Sequence, residues 1–245
     1  MSRAPTPPVP RRAVAAACST GRRRFLLVGG VLTGLAAVVI VGLLGSSPAF
    51  YRERLGATDA RTEQQARRLI TKASALHAGI ERPGRWEAAI TEQEINAWLA
   101  ADLPANHAAL LPAGWTAPRL ELLPDRCRAG VRLALGPAST VAWFDARVQL
   151  RDVNQLFITV EDARLGAIPV PHGLILRSLA RQIAKVGMTP QFRRLDGRSV
   201  LVVYIPPTAT SGAAASRWLE VVALGHGELL VSGETRAPGG RPGRE

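Results

Sequence analysis

The chain is 245 residues long, which is enough for one or two domains with a sizeable core. Hydrophobic residues make up 47% and charged residues 20%, and this composition excludes a wholly disordered chain. Two cysteines and four scattered histidines exclude a disulfide scaffold and the common four-ligand zinc modules. We therefore expect no bound metal and no cofactor.

The positive charge of the chain is concentrated at its N-terminus. The formal net charge is +12, and residues 1–24 contain six arginines and no acidic residue. The remaining residues carry 25 basic and 19 acidic side chains, which is a mild excess for a domain of this size. They show neither a basic stripe with interleaved aromatic residues nor a nucleic-acid-binding motif, so nucleic acid is not a predicted partner.

An uncharged apolar segment follows the basic tail. It runs from Phe25 to Leu44 over 20 residues, and a helix of that length spans about 30 Å, the thickness of a bilayer's hydrocarbon core. Arg22, Arg23 and Arg24 directly precede it, and the positive-inside rule places that side in the cytoplasm. The sequence thus predicts a single-pass helix in the cytoplasmic membrane, with the C-terminal domain periplasmic or otherwise extracytoplasmic.

A cleaved export signal is the alternative interpretation of this segment. Residues 22–26 resemble a twin-arginine signal, and Ser47-Pro48-Ala49 could serve as a cleavage site. The apolar core of a signal peptide is shorter, however, at about 7–15 residues. Gly30 and Gly34 have the spacing of a helix-dimer motif, but glycine is common in membrane helices, so this spacing alone does not predict a dimer.

The rest of the chain divides by composition into loose ends and one body. Residues 1–24 are predicted to be a disordered cytoplasmic tail, residues 45–57 a juxtamembrane linker and residues 237–245 a second disordered tail. Residues 58–236 between them form one predicted extracytoplasmic α+β domain, since no internal linker divides them.

The predicted domain begins with helices. Apolar residues recur at helical spacing over 58–78, and Pro83-Gly84 then breaks the chain. Thr91 and Glu94 have the spacing of a capping box, which predicts a second helix that extends to about Ala101. This helix presents Ile95, Trp98 and Leu99 to a core.

An alternating pattern replaces the helical one from Pro118 onward. Residues 131–135, 142–151 and 155–161 alternate apolar and polar side chains, as strands of an antiparallel sheet with one covered face do. An amphipathic helix over 171–186, a strand over 200–205 and a closing hairpin around 225–227 follow. The predicted fold class is α+β, with an N-terminal transmembrane helix followed by an antiparallel, curved sheet packed on amphipathic helices.

Catalytic motifs are missing from the sequence. It contains no GxSxG, HExxH, P-loop or GxGxxG before a helix. Cys127 lies between Arg126 and Arg128, a setting that could lower its thiol pKa, although a lone strand cysteine is the simpler interpretation. Asp145 and Asp162 lie on polar strand faces and are predicted to be solvated. The prediction is that the protein is not an enzyme.

Two large aromatic residues stand on otherwise polar strand faces. At the positions of Trp143 and Phe157 the second face of the sheet is either covered by the protein's own helices or in contact with an apolar ligand such as an acyl chain. The pattern leaves both interpretations open. The candidate ligand-binding residues are Trp143, Phe157, Trp98, Ile175 and Leu179.

Three segments after the apolar stretch carry a family resemblance. They are TEQEINAWL (91–99), EDARLGAIPVPHGLILRSLARQI (161–183) and RWLEVVALGHGELLVSG (217–233). In this order they resemble the YpmS-like family of single-pass extracytoplasmic proteins and the LmeA-like periplasmic group. The resemblance implies an elongated sheet around a long helix, reminiscent of tubular lipid-binding folds, and it carries over no catalytic residue. The Arg/Pro-rich tail and the loop over 103–115 depart from the family pattern.

The leading hypothesis that follows is a non-catalytic extracytoplasmic domain, anchored in the membrane. It would bind a lipid or other apolar ligand, or support envelope assembly. The alternative is a protein-interaction module of a bacterial envelope complex, with an envelope protein as its partner.

Overall fold

The computed structural model describes residues 42–56, 59–136, 138–185, 187–207 and 216–237. The chain divides into two units, residues 1–42 and residues 43–245, and the helices and strands described below lie in the second unit. The predicted cytoplasmic tail, and the predicted membrane segment up to residue 41, lie outside the described residues, as do residues 238–245. Among the helices that the structure describes, none combines the length and the apolar character needed to cross a membrane.

The fold is α+β with antiparallel sheets. The helices are α1 (Ala49–Glu53), α2 (Ala60–Ile80), α3 (Glu92–Asn106) and α4 (His172–Lys185), with a 3-10 turn at Ala108–Leu110. The strands are β1 (Gly84–Thr91), β2 (Trp115–Leu123), β3 (Arg126–Leu135), β4 (Ala138–Asp152), β5 (Gln155–Leu165), β6 (Ile168–Pro169), β7 (Thr189–Leu195), β8 (Arg198–Tyr204), β9 (Ser216–Leu224) and β10 (Glu228–Arg236).

The strands form two sheets rather than the one that the sequence predicts. The larger sheet has the order β2-β3-β4-β5-β8-β7, with β6 beside β5, and the smaller has the order β1-β10-β9. The turn between β4 and β5 connects the two sheets through Asn154. This residue is buried and adopts a positive φ of 62°. Its side chain accepts a hydrogen bond from the Leu219 amide and donates one to the Arg217 carbonyl, at 2.6 and 2.8 Å.

The long helices begin where their capping residues lie. Asp59 accepts a hydrogen bond from the Thr62 amide at 2.8 Å at the start of α2. The predicted capping box of α3 is confirmed: Thr91 Oγ1 accepts from the Glu94 amide, and Glu94 Oε2 accepts from the Thr91 amide. Helix α3 continues through Pro104 to Asn106, beyond its predicted end, so the predicted loop over 103–115 is shorter than expected.

The two faces of the larger sheet have separate cores. Helix α4 covers one face, where Leu176 and Ala180 pack on buried residues of β4, β5 and β8. The helix α1 covers part of the other face, inside the stretch predicted to be a linker, with Phe50 and Tyr51 buried against Val141. Gly130 makes this approach possible, because a Cβ atom there would lie 2.8 Å from Tyr51 Cδ2.

Candidate functional site

An apolar cavity of about 410 Å³ lies between α3, α4 and the larger sheet. Helix α3 contributes Ile95 and Leu99 to its wall, and α4 contributes Ile175 and Leu179. This volume is within the range of about 300–1,000 Å³ that is usual for small-molecule sites. The sheet residues that line the cavity floor are Leu120, Ala129, Val131, Ala142 and Phe144.

Small side chains in the floor keep the cavity open. In the register of the sheet, Ala129 lies opposite Phe144, and Val131 lies opposite Ala142. These four residues therefore project on one face of the sheet, the face that α4 covers. Because two of them are alanines, the floor lies deeper there than it would beneath longer side chains.

The connection between α3 and β2 forms one side of the cavity. Its segment over 108–114, AALLPAG, carries no charged residue, and Leu110 is 57% exposed at its surface. Leu111 and Pro112 line the cavity and also line a second cavity of about 450 Å³. An uncharged, partly exposed segment thus separates two neighbouring apolar spaces.

The candidate ligand residues from the sequence fall into two groups. Ile175, Leu179 and Trp143 line the cavity. Trp98 instead packs against the His107 ring, with centroids 5.8 Å apart, and lies outside the cavity lining. Phe157 is buried on the opposite face of the sheet beside Val200 and Val202.

Trp143 makes the contacts of a core residue as well as lining the cavity. Its ring packs edge-on against Phe50, with centroids 6.1 Å apart, and the Arg164 guanidinium lies 5.6 Å from the ring centroid. Its indole N–H donates to the Gly166 carbonyl at 3.3 Å. The second face of the sheet is therefore covered by the protein itself at this position.

A series of ion pairs crosses the face opposite the cavity. Arg54 donates to Glu92 at 2.6 Å and to Glu121 at 3.0 Å. Arg128 donates to Glu121 at 3.2 Å and to Asp145 at 3.0 Å. The prediction that Asp145 is solvated is wrong: it is 6% exposed, because arginines of the neighbouring strand lie over it. These ion pairs connect α1, α3, β2, β3 and β4 across this face.

Cys127 is half-buried, and its thiol is not activated. Burial raises the pKa of Cys127 to about 11, with a further contribution from the negative charge of Asp145. Its neighbours Arg126 and Arg128 form ion pairs with Asp145, within 4 Å, and not with the thiol. The idea that the arginines lower its pKa is therefore wrong.

Arg119 is a buried cation at the edge of the cavity that the sequence analysis does not single out. It is 6% exposed and lines both apolar cavities. Its guanidinium donates to the main-chain carbonyls of Arg54 and Pro118, each at 2.7 Å, and within the described residues no carboxylate pairs with it. Burial lowers the pKa of Arg119 from its ordinary value. The alternation of side chains along β2 does not predict that Arg119 is buried. The backbone is irregular two residues before it, where Ala117 has a φ of 49°.

The chain enters the domain at the same end of the sheet as the cavity. The Leu43 carbonyl accepts from the Ala167 amide at 2.8 Å, and the Leu44 carbonyl accepts from Thr140 Oγ1 at 2.6 Å. Ala142, in the cavity floor, pairs with Leu165, only two residues from Ala167. The last residue of the predicted membrane segment is thereby fixed close to the cavity.

Comparisons with protein-family models, with curated proteins and with solved structures found no match for this chain. Within the residues that the structure describes, no group of three or more His, Cys, Asp or Glu side chains could hold a metal ion.

Proposed function

We propose that this protein is a membrane-anchored, extracytoplasmic and non-catalytic domain that binds the acyl chain of a lipid. The observation that carries the proposal is the apolar cavity between α3, α4 and the larger sheet. Its lining residues Ile95, Leu99, Ile175 and Leu179 offer aliphatic surface and no reactive group.

Hydrophobic burial supplies the affinity that this function needs. Each methylene group removed from water contributes about 0.8 kcal/mol. About ten methylenes of one acyl chain would contribute on the order of 8 kcal/mol before the entropy cost of association is subtracted. A chain-like ligand therefore suits this cavity better than a small polar one.

The proposed placement of the domain brings the cavity close to its ligand. The proposal includes a transmembrane helix over residues 25–44, with the N-terminus in the cytoplasm, on the grounds of length, hydropathy and the flanking arginines. Since Leu44 is bonded to Thr140 beside the cavity, a lipid would have a short path from the bilayer to the site. The YpmS-like resemblance likewise implies a domain placed outside the cytoplasmic membrane.

Native mass spectrometry of the full chain, purified from membranes in detergent, tests the proposal. The wild-type chain should retain one lipid after the micelle is removed, whereas Ala142→Phe, which fills the floor of the cavity, should retain none. Ala223→Phe places the same side chain at an exposed position of β9 and serves as the matched control. Equal lipid retention by both variants, or a wild-type chain without lipid, would count against the proposal.

One observation favours the alternative, an interaction module. Strand β9 is at the edge of the smaller sheet, and among the described residues only β10 pairs with it. Val221 on this strand is 38% exposed. Asn154 is bonded to this edge at Arg217 and Leu219, and the Asp125 amide is bonded to it at Leu224. The short stretch of edge between these bonds carries an apolar side chain and suits pairing with another chain. A photocrosslinker at Val221 should then give one adduct of discrete mass in intact cells, and its absence would exclude this mode.

A further inference from the structure

We propose that a basic and apolar surface formed by α4 and β7 docks on an anionic lipid bilayer. This α4–β7 patch consists of Leu174, Arg177 and Arg181 of α4 with Phe192 and Arg194 of β7. It is separate from the acyl-chain cavity, and it rests on the proposed membrane anchor but not on any bound ligand.

The charge of this region is the first observation. Residues 172–204 contain six Lys and Arg residues and a single acidic residue, Asp196. Within the described residues, none of these six cations lies within 4 Å of a carboxylate, whereas Arg126 and Arg128 of β3 and Arg147 of β4 are all paired. The positive charge of this region is therefore not neutralised within the fold.

The exposed apolar side chains are the second observation. Leu174 is 49% exposed and Phe192 is 54% exposed. Both line a surface groove of about 580 Å³ together with Arg177 and Arg181. Large apolar groups flanked by arginines are the composition of surfaces that lie in the headgroup region of a membrane.

The register of the sheet places the members of the patch on one face. Phe192 pairs with Leu201, and Leu201 belongs to the core that α4 covers. Arg194, two residues further along β7, projects on that same face. Arg177 and Arg181 are one helical turn apart and both exposed. All five residues of the patch are therefore exposed on the side of the domain where α4 and β7 meet.

The position of the patch in the domain agrees with a bilayer as its partner. Helix α4 begins five residues after Ala167, whose amide is bonded to the carbonyl of Leu43. Leu174 is in the first turn of α4, so six residues of chain separate the start of the patch from Ala167. Lys and Arg side chains are attracted to an anionic lipid surface, and the proposed anchor makes this second contact intramolecular.

The test uses the full chain in nanodiscs of phosphatidylcholine, alone or mixed with phosphatidylglycerol. Both native cysteines are replaced by alanine, and Phe192→Cys carries an environment-sensitive NBD fluorophore. We expect a blue shift and quenching by doxyl-labelled lipid in the anionic nanodiscs only, with loss of both at high salt. The variant Arg177→Glu/Arg181→Glu/Arg194→Glu should abolish both signals.

The matched control is Arg61→Glu/Arg68→Glu/Arg82→Glu, which changes the net charge equally at exposed positions of α2 and the turn after it. It should leave the quenching unchanged. Equal loss in both triple variants would overturn the proposal, because net charge alone would explain it. A chain that enters the nanodiscs but shows no lipid quenching at position 192 would also overturn it, while leaving the anchor and the cavity untouched. A blue shift without lipid quenching would point to a protein partner and would equally overturn it.

Discussion

Gly130 is the residue on which the packing of α1 depends. A Cβ atom at this position would lie 2.8 Å from Tyr51 Cδ2 and 3.4 Å from Phe50 Cζ. We expect Gly130→Ala to lower the free energy of unfolding by about 1–3 kcal/mol through overpacking. Thermal unfolding of the full chain in detergent measures this change.

Gly173→Ala is the control for this substitution. Position 173 lies in α4, where an added Cβ atom would meet nothing within 4 Å. Alanine has the higher helix propensity, so this variant should unfold at the same or a higher temperature than the wild type. Equal effects of the two substitutions would show that α1 does not pack on Gly130.

The reactivity of Cys127 follows from its surroundings. Its pKa of about 11 lies about two units above the ordinary thiol value of 9.0, so at pH 8 it carries about 100-fold less thiolate. In a Cys18→Ala background we expect alkylation by iodoacetamide to be slower than that of a free thiol by at least this factor. Asp145→Asn should lower the pKa and accelerate the reaction. Alkylation at the rate of a free thiol would contradict the raised pKa of Cys127.

At the scale of elements, Arg54 connects α1 to the rest of the domain. Its guanidinium donates to Glu92 at the start of α3 and to Glu121 of β2, while its Nη1 donates to the Phe50 carbonyl. Arg54→Ala leaves two largely buried carboxylates without this partner, and we expect a loss of about 3 kcal/mol in the free energy of unfolding. Arg67→Ala, which removes an exposed pair with Glu63, should cost less than about 0.5 kcal/mol. Chemical denaturation of the full chain compares them, and similar losses would contradict this role for Arg54.

The start of α3 should make stability depend on pH. Burial tends to raise the pKa of Glu94, but the Lys72 ammonium and the hydrogen bonds to Thr91 outweigh it and hold the pKa below its ordinary value of 4.5. A carboxylate with a lowered pKa stabilises the fold above its unfolded-state pKa and loses that effect as the pH falls. The difference in unfolding free energy between wild type and Glu94→Gln should therefore be largest near pH 7 and shrink below about pH 4.5. If this difference in unfolding free energy stayed constant with pH, the proposed contribution of the Glu94 carboxylate would be wrong.

Local sequence signals predicted most of these elements and missed others for physical reasons. The capping box of α3 and the turn at 225–227 depend on residues close in sequence, and both elements form as predicted. Helix α1 depends on a distant residue, Gly130, so nothing near Phe50 predicts it. The turn after β7 is Asp196-Gly197, where φ is 50° and 76°, and this dipeptide is a hairpin signal that does not show in the alternation of side chains.

At the scale of the whole molecule, the cavity could be predicted only in part. Ile175 and Leu179 lie on the apolar row of an amphipathic helix, and that row does line the cavity. The floor depends on the pairing register of β3 and β4, which places Ala129 and Ala142 beneath the helices and which no local pattern fixes. For the same reason, neither the division into two sheets nor the burial of Asp145 follows from alternation alone.

The central claim is that the cavity, and not only the predicted anchor, holds an acyl chain. The most direct measurement is photocrosslinking in cells that express the full chain and are supplied with a diazirine-bearing fatty acid, with the crosslinked peptides mapped by mass spectrometry. We expect crosslinks within residues 25–44, which report membrane insertion, and also at Ile95–Leu99 and Ile175–Leu179, with the latter two lost in Ala142→Phe. Crosslinks confined to residues 25–44 would contradict the account.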